Sequence, residues 1–397
     1  MEEVVSRSGR FLKQPEGYVA FVPSTLPPEP PLVVDAAMIS LLSHADRAVG
    51  RLDGVTRTLP NPDLFLAMYV RREAVLSSQI EGTQSTLEDV LSYELDPKQR
   101  EVPQDVEEVV NYVRAMNYGL ERLATLPLSL RLIREIHAEL LRGARGADRM
   151  PGRFRETQNW IGPEGASIVE ATFVPPPVAP MTESLVNLES FFHGGAHPPL
   201  IACAMAHAQF ETIHPFLDGN GRVGRLLITF QLVHAGVLHR PLLYLSHYFK
   251  RRRAEYYDRL MAVREDGNWE AWTTFFLRGV AETAEEATET AEKIVKLQEE
   301  HRTLIQEAGL GMSGLRMLEL LFQRPLFNVN LVRDTLDVAY NTARRVIDQA
   351  TALGIVEEVT GARRFRVFRY TPYWRLLEEP QPAAGDYTPP QITETAR

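Results

Sequence analysis

One twelve-residue stretch combines a histidine, a carboxylate, three glycines and two arginines: His214-Pro-Phe-Leu-Asp-Gly-Asn-Gly-Arg-Val-Gly-Arg225. The segment from Gly219 to Gly221 allows consecutive backbone amides to converge on one point, which is the arrangement of an anion nest. Arg222 and Arg225 follow one turn apart on a predicted helix, whose positive N-terminal end faces the same point. Residues of these types at this spacing predict a phosphate-binding site.

His214 and Asp218 are the residues of this loop that could carry out chemistry on a bound phosphate. Pro215 biases His214 away from helical geometry, so the preceding helix ends at the imidazole and fixes its place. Histidine has an ordinary pKa of about 6.5, which suits proton removal near neutral pH. Asp218 is the carboxylate inside the loop, and Mg²⁺ commonly takes one or two carboxylates together with substrate phosphates.

Three other interpretations of the loop fit less well. The run from Gly219 to Gly224 matches the dinucleotide fingerprint G-x-G-x-x-G, but that motif needs a preceding strand and an acidic residue about twenty positions later. The preceding segment has a helical pattern, and no Asp or Glu occurs between Asp218 and Glu255. The sequence contains no P-loop Gly-Lys-Ser/Thr. A zinc site of His207, His214 and Asp218 lacks a standard ligand spacing.

The loop resembles the signature of the Fic family, His-Pro-Phe-x-Asp/Glu-Gly-Asn-Gly-Arg-x-x-Arg, and every specified position matches. In layout the resemblance extends from about Leu64 to Tyr370. It implies a Mg²⁺-dependent protein adenylyltransferase, an enzyme that transfers AMP from ATP to a Ser, Thr or Tyr hydroxyl of a protein substrate, a reaction called AMPylation. Related Doc proteins, which are associated with phosphorylation, carry lysine where this chain has Gly221, so the comparison favours AMP transfer.

The resemblance also implies roles for single residues. His214 is the general base for the target hydroxyl, and Asp218 ligates Mg²⁺. Arg225 reaches the γ-phosphate, while Tyr257, beside Tyr256, resembles the family's pair near the adenine pocket. The implied residues for ATP and its phosphates are Gly219, Asn220, Gly221, Arg222, Val223, Gly224, Arg225 and Tyr257.

A second motif, Ser77-x-x-x-Glu81-Gly82, resembles the family's inhibitory motif Ser/Thr-x-x-x-Glu-Gly/Asn. Glu81 falls at a predicted helix end, where the helix dipole disfavours an anion unless a cation compensates it. The resemblance implies that this cation is Arg225, so the pair would remove Arg225 from the γ-phosphate and inhibit the enzyme. In some relatives the same glutamate positions a water that removes AMP, so de-AMPylation stays open as an alternative.

Apolar spacing predicts the helices that position both motifs, and the fold class is mainly α. We expect a Fic helical core with a short β-hairpin flap, followed by a C-terminal winged helix-turn-helix domain. The flap lies near residues 160–172, and by the resemblance it docks the target backbone through strand addition. The predicted helices cover 63–91 with a stop at Gly82, 106–123, 129–141, 181–192, 199–213, 222–235 and a region from about 252 onward.

The chain divides into five predicted parts. The proline-rich residues up to Pro62 are expected to form an arm on a domain surface, and the Ala/Glu-rich run 281–300 a solvated connecting helix. The parts are 1–125 (arm and helical region with the inhibitory motif), 126–280 (catalytic core), 281–310 (linker helix), 311–372 (winged helix-turn-helix) and 373–397 (a tail predicted to be disordered).

Composition favours a cytoplasmic globular protein. The 397 residues carry a formal net charge of -9 and a single cysteine, Cys203, so no intrachain disulfide can form. The N-terminus lacks the pattern of a secretory signal. The longest apolar run, from Leu226 to Leu238, is shorter than the roughly 20 residues that a membrane span needs.

The C-terminal domain suggests a second function, DNA binding. From Gly311 to Tyr370 there are nine arginines and six acidic residues, a net charge of +3 (9 - 6). Arg344 and Arg345 fall on the predicted recognition helix, which favours DNA contact through 311–372. The alternative hypothesis is therefore a DNA-binding regulator with a nucleotide-sensing core, although such domains also mediate homodimerisation or target docking. The predicted wing, which would also contact DNA, carries Arg363, Arg364 and Arg366. A separate expectation is that the protein modifies itself.

Overall fold

The computed structural model describes residues 5–58, 62–95, 104–143, 149–163, 165–361, 365–377 and 392–395. Within these ranges the chain is mainly helical, as predicted, and it contains three small antiparallel sheets. The helices are α1 (Ala36–Thr58), α2 (Pro62–Ile80), α3 (Leu87–Leu95), α4 (Gln104–Leu123), α5 (Leu130–Leu140), α6 (Val178–Phe192), α7 (Pro199–Ile213), α8 (Asn220–His234), α9 (Ser246–Arg251), α10 (Arg253–Asp266), α11 (Trp269–Glu307), α12 (Gly311–Gln323), α13 (Val329–Leu336), α14 (Tyr340–Ala352) and α15 (Thr371–Leu377). The strands are β1 (Val5–Ser6), β2 (Gly9–Lys13), β3 (Val19–Pro23), β4 (Trp160–Pro163), β5 (Leu326–Asn328), β6 (Glu357–Glu358), β7 (Val367–Arg369) and β8 (Ile392–Thr395).

Helices α7 and α8 form the centre of the molecule. Nearly every residue of both is buried, including Cys203, and a helix that is buried all round belongs to a core. Helix α7 has the predicted bounds, whereas α8 begins two residues before the predicted Arg222. It begins earlier because Gly219, with φ of 78°, already serves as its N-cap. The loop between these two helices is the predicted phosphate-binding stretch.

The predicted N-terminal arm is in large part regular structure. Strands β1, β2 and β3 form an antiparallel meander in which Phe11 pairs with Phe21. Residues 36–58 form the long helix α1, which packs along α11 and was not predicted. Its buried face alternates bulky Met38 and Leu52 with small alanines, and that mixture weakens the apolar pattern on which the prediction depends.

Helix α11 corrects the prediction of a solvated connecting helix. It runs for 39 residues without interruption and begins inside the catalytic region, at Trp269. Ala284, Ala287 and Ala291 are buried in it, so the Ala-rich stretch is a packing seam against α1 rather than a solvated spacer. Small side chains allow two helices to approach closely. An Ala-rich composition therefore occurs both in buried, closely packed helices and in solvent-exposed ones, and composition alone does not distinguish the two.

Helix α2 ends at Ile80, two residues before the predicted stop at Gly82. It contacts α4, α8 and α9, and it also contacts α12 and α15 of the C-terminal region. The motif predicted to be inhibitory therefore lies at the end of a helix that contacts both parts of the molecule.

The predicted flap contains one strand rather than a two-stranded hairpin. Ile161 of β4 pairs with Phe173 through a single bridge, and a 3-10 turn, Ile168–Glu170, replaces most of the second strand. The chain's own β8 pairs antiparallel with β4, with Gly162 opposite Thr393. Of the tail that was predicted to be disordered, residues 378–391 and 396–397 lie outside the described residues, and 392–395 form this strand.

The C-terminal region contains the helices α12, α13 and α14, followed by the antiparallel pair of β6 and β7. The sheet order is β5-β7-β6, and β5 was not predicted. Helix α15 was also missed, and its buried Tyr373 and Trp374 extend this region to Leu377. Arg344 and Arg345 are exposed on α14, whereas Arg363 and Arg364 lie outside the described residues. Among the helices described, none is long and apolar enough to cross a membrane.

Candidate active site

The loop between α7 and α8 begins with a sharp change of direction at His214. This residue has φ of 48° and ψ of 61°, the left-handed region, while its N–H still donates to the Phe210 carbonyl at 3.0 Å. Asn220 then closes the loop, since its Oδ1 accepts from the Phe216 N–H (2.8 Å) and its Nδ2 donates to the Phe216 carbonyl (2.9 Å). Phe216 is fully buried and anchors the loop in the core.

Two side chains from the segment before the flap hold the carbonyls of the loop. Arg155 Nε donates to the His214 carbonyl at 3.0 Å, and Asn159 Nδ2 donates to the Phe216 carbonyl at 2.8 Å. The Arg155 N–H donates to the Pro215 carbonyl at 2.9 Å. Burial lowers the pKa of Arg155 to about 10, which leaves it charged at neutral pH. Sequence reasoning missed both residues, because isolated polar residues in an irregular segment form no pattern.

His137 supports the loop from α5. Its ring stacks on Phe216 with centroids 3.7 Å apart. Its Nδ1 accepts from the Gly152 N–H at 2.9 Å, so Nε2 carries the proton and donates to the Asp218 carbonyl at 3.0 Å. Burial lowers the pKa of His137 to about 4, which keeps the ring neutral in this arrangement.

The tautomer of His214 follows from its neighbour on α7. Its Nδ1 lies 3.4 Å from the backbone carbonyl of Glu211, and a carbonyl can only accept. In the neutral ring the proton therefore sits on Nδ1, and Nε2 is the nitrogen that can accept a proton. The residue is 3% exposed, so water has little access to the ring. This geometry is that of a general base.

Glu211 is a buried carboxylate that the sequence did not indicate. Burial raises its pKa to about 7, and the charges of His214 and Arg225 oppose that rise. A Cβ at Gly224 would collide with Glu211 Oε1, which explains the glycine at this helical position. Arg264 Nη2 donates to the Glu211 carbonyl at 3.1 Å.

Asp218 and Arg222 form an ion pair at the N-terminus of α8. Asp218 Oδ1 accepts from the Gly219 N–H at 2.6 Å and lies 3.3 Å from Arg222 Nη2. Burial acts to raise the pKa of Asp218, but Arg222 and the Gly219 amide lower it overall. Arg222 Nη1 also contacts Glu108 of α4 at 2.9 Å. The Gly219 amide, the first of the predicted nest, is therefore already bonded to Asp218. The amides in the first turn of a helix have no acceptor within the helix, so those of α8 are the ones suited to an anion.

Arg225 is held by Ser77 and Glu81, two residues of the motif predicted to be inhibitory. Its Nε donates to Ser77 Oγ at 2.8 Å, and its Nη2 donates to the Ser77 carbonyl at 3.0 Å and to Glu81 Oε1 at 2.5 Å. The Arg225 side chain is 1% exposed and that of Glu81 is 25% exposed. Burial acts to lower the pKa of Arg225, yet Glu81 and the neighbouring acidic groups raise it overall.

The carboxylate of Glu81 also covers the glycine loop. A Cβ at Gly221 would collide with Glu81 Oε1 and would lie 3.0 Å from Arg225 Nη1. Glu81 therefore occupies the space directly above the helix N-terminus that the sequence predicts to bind phosphate. Gly82, with φ of 104°, follows it in the left-handed region that favours glycine.

The two tyrosines of α10 differ in their surroundings. The Tyr256 hydroxyl contacts His207 Nε2 at 2.9 Å, and His207 Nδ1 lies 3.1 Å from the Gly224 carbonyl, so both residues are part of the core. Tyr257 is half-buried beside Arg253, whose guanidinium lies 5.4 Å from the ring centroid. Burial and the charge of Glu81 raise the pKa of Tyr257. Across the described part of the chain, no group of three or more His, Cys, Asp or Glu residues could hold a metal by itself.

Comparison with known proteins finds similarity in this region. Residues 39–121 match the family model described as Fic/DOC family N-terminal, and residues 127–232 match the model described as Fic/DOC family. A protein adenylyltransferase Fic from Culex quinquefasciatus is 34% identical over 144 residues, and one from Aedes aegypti is 32% identical over 142 residues. Each match covers 35% of this chain and 25% of the relative, so the chain spans about a quarter of the length of these relatives.

Solved structures share the fold. A Fic family protein from Desulfovibrio desulfuricans G20 superposes with a TM-score of 0.56 at 21% identity, covering 86% of this chain and 97% of that one. A Fic domain containing signaling protein from Bacteroides thetaiotaomicron VPI-5482 gives a TM-score of 0.50 at 16% identity, covering 64% and 97%. At these identities the likeness concerns the fold.

Proposed function

Because residues 39–121 and 127–232 place this chain in the Fic/DOC family, we propose that it is a protein adenylyltransferase held inactive by Glu81. The substrates are ATP and a Ser, Thr or Tyr hydroxyl of a protein. The observation that carries the proposal is that His214 and Asp218 lie in the loop before α8 and Arg225 in the second turn of α8, with Glu81 bonded to the arginine. The relatives named protein adenylyltransferase support the reaction type.

In this reaction the target hydroxyl oxygen attacks the α-phosphorus of ATP. The bond from the α-phosphorus to the oxygen that bridges the β-phosphate breaks, and pyrophosphate leaves. The hydroxyl proton passes to His214 Nε2, the nitrogen that the Glu211 carbonyl leaves unprotonated. General base catalysis of this kind contributes about 10² to 10⁴ in rate. Arg155, Asn159 and His137 keep the histidine and its loop in place.

The phosphates bind at the N-terminus of α8 and its arginines. Backbone amides of the first helical turn and the side chains of Arg222 and Arg225 stabilise the negative charge that develops on the transferring group. Asp218 fits as a ligand for one Mg²⁺, because both described contacts of its carboxylate go through Oδ1, which leaves Oδ2 to face a cation. Bound there, Mg²⁺ would supply charge neutralisation at the phosphate oxygens.

The flap provides an edge for the protein substrate. Strand β4 already pairs along its length with an extended segment of this chain, Ile392–Thr395. Strand addition recognises the backbone of a peptide rather than its side chains. We propose that a target segment binds β4 in the same way and brings its hydroxyl to His214.

Glu81 inhibits transfer by competing with the γ-phosphate for Arg225. The two residues form a partly buried charge-assisted hydrogen bond, which is stronger than a neutral one. Holding the enzyme about 99% inactive requires only about 2.7 kcal/mol. The carboxylate also lies over Gly221, so it excludes a phosphate from the loop by charge and by volume.

The experiment that tests the reaction compares ATP labelled at the α-phosphate with ATP labelled at the γ-phosphate. The purified Glu81→Gly variant is incubated with Mg²⁺ and a cell extract, and labelled proteins are identified by mass spectrometry. We expect label from the α-phosphate and a mass increase of one AMP on a hydroxyl side chain. Label from the γ-phosphate instead would indicate phosphorylation. Loss of AMP from a pre-modified protein, without incorporation, would indicate de-AMPylation.

A further inference from the structure

Strand β4 of the flap has two edges, and both are paired in this structure. On one edge, the Ile161 N–H donates to the Phe173 carbonyl at 2.8 Å, and the Ile161 carbonyl accepts from the Phe173 N–H at 3.0 Å. On the other edge, β8 of the same chain pairs antiparallel with β4 over its whole length. Among the described residues, β4 therefore has no edge left for a further peptide.

The bonds of Ile161 identify the backbone groups of β4 that serve β8. Successive residues of a strand direct their N–H and C=O groups to opposite edges. Because Ile161 directs both groups to Phe173, its neighbours Trp160 and Gly162 direct theirs to the edge where β8 lies. These two residues provide the donors and acceptors that strand addition would use.

The same register sorts the residues of β8. Thr393 lies opposite Gly162, and Thr395 lies opposite Trp160. The backbone N–H groups of both threonines therefore face β4, whereas that of Glu394, between them, faces away from it.

Strand β4 begins beside the catalytic loop. Asn159, the residue directly before it, donates through Nδ2 to the His214 carbonyl at 3.3 Å and to the Phe216 carbonyl at 2.8 Å. A peptide that pairs with β4 is therefore anchored next to the loop that carries the proposed general base. A target segment needs this position if strand addition is to bring its hydroxyl to His214.

The sequence of β8 suits this edge. Three of its four residues, Ile392, Thr393 and Thr395, are β-branched, which favours an extended strand. Two of them are threonines, a residue type that the proposed reaction modifies. The segment thus combines the strand character and the residue type expected of a target.

We propose that β8 is an intramolecular occupant of the target-binding edge of β4, which a protein substrate must displace before AMP transfer. The proposal rests on the proposed function, because it takes β4 as the docking strand. Residues 378–391 link β8 to α15. A segment linked to its own site competes at an effective concentration of about 1 mM, so a dilute target competes poorly. This restraint acts on the protein substrate, whereas Glu81 acts on ATP.

The test uses the full chain with Glu81→Gly as the reference and places proline at two neighbouring positions of β8. Thr393→Pro removes an N–H that faces β4. Glu394→Pro, the matched control, removes one that faces away, where an edge strand tolerates proline. Hydrogen exchange read by mass spectrometry follows the peptide that contains Trp160 and Gly162. We expect about tenfold faster exchange of this peptide in Thr393→Pro and the reference rate in Glu394→Pro, since an edge paired about 90% of the time is free about ten times more often when released.

A second readout uses a fluorescent synthetic peptide with the sequence of residues 388–397, whose dissociation constant is measured by anisotropy. Thr393→Pro should bind this peptide about tenfold more tightly than the reference and Glu394→Pro, because the free fraction of an edge sets its apparent affinity. AMP transfer to proteins of a cell extract should rise by the same factor. The dissociation constant of a non-hydrolysable ATP analogue should not change.

Equal exchange and equal peptide binding in the three proteins would overturn the proposal, because β8 would then not occupy the edge. Tighter peptide binding by Thr393→Pro with an unchanged rate of transfer would also overturn it, since targets would then bind elsewhere. If none of the three proteins transfers AMP, the proposed function has failed. Hydrogen exchange and peptide binding then still decide whether β8 occupies β4.

Discussion

Glu81 Oε1 lies 2.5 Å from Arg225 Nη2, and the same carboxylate fills the space above Gly221. One side chain thus engages the arginine that we assign to the γ-phosphate and also covers the glycine loop. The contact joins residues 144 positions apart in the sequence, across the boundary between the N-terminal helices and the catalytic loop.

His214→Ala, made in the Glu81→Gly protein, should reduce AMP transfer by about 10² to 10⁴, the usual contribution of a general base. Transfer is measured as incorporation of the α-phosphate label over time. His193→Ala is the control, because this histidine is exposed at the end of α6. Transfer that persists at the reference rate in His214→Ala would exclude the histidine as the base.

Asp218→Asn should raise the Mg²⁺ concentration for half-maximal transfer about tenfold or more, since a neutral amide is a poor ligand for a hard cation. The amide oxygen can still accept from the Gly219 N–H, so the loop should keep its shape. Asp266→Asn, at the exposed end of α10, is the control. Identical Mg²⁺ titrations of Asp218→Asn and its parent would contradict the assigned ligand.

Glu211→Gln should change how stability depends on pH. The pKa of Glu211 is about 7 in the folded protein and near 4.5 in the unfolded chain, so the folded state binds more protons between these values. The stabilisation from this group is therefore present below about pH 4.5 and is lost as pH rises through about 7.

Because glutamine does not titrate, the unfolding free energy of Glu211→Gln relative to wild type should rise by about 1 kcal/mol or more between pH 5.5 and pH 8. Urea unfolding at the two pH values measures this difference. Glu255→Gln, which removes a carboxylate from a surface pair with Arg259, is the control. A difference that stays constant with pH would argue against the raised pKa of Glu211.

Two glycines in helices should respond to alanine in opposite directions. A Cβ at Gly224 would meet Glu211 Oε1 and, at 3.2 Å, Phe210 Cδ1, so Gly224→Ala should destabilise the protein by about 1 to 3 kcal/mol. Gly50 on α1 has no atom within 4 Å of its would-be Cβ, so Gly50→Ala should stabilise by about 0.5 to 1 kcal/mol. Chemical denaturation compares both with wild type. Equal effects would mean that Glu211 does not pack against α8 as described.

The sequence predicted the end of α7 at Ile213 and the loop after it because these signals are local. The proline that follows His214 marks the helix end, whereas the start of α8 was predicted two residues late. The contacts of Arg155 and His137 with the loop join residues 59 and 81 positions apart. A repeating pattern in the sequence does not indicate contacts between residues so far apart, so the side chains that hold the loop could be identified only from the fold.

The errors in the fold have a different origin. Alanine is compatible with solvated helices and with close helix packing, and α1 and α11 use it for packing along their shared seam. The sequence therefore indicated helix over 281–300 correctly but not the partner that buries it. The second strand of the flap failed to form beyond one bridge at Phe173, whose ring lies 3.8 Å from the Arg264 guanidinium.

The most direct test of the account compares AMP transfer by wild type, Glu81→Gln and Glu81→Gly under identical ATP and Mg²⁺. Glutamine keeps the volume over Gly221 but removes the charge that holds Arg225, so it separates competition by charge from exclusion by size. We predict that Glu81→Gly transfers AMP about 10² times faster than wild type, because a protein that is about 99% inactive gains this factor when it is fully released. The rate of Glu81→Gln should lie between the two. Equal incorporation of labelled AMP by all three proteins would contradict the claim that Glu81 restrains Arg225.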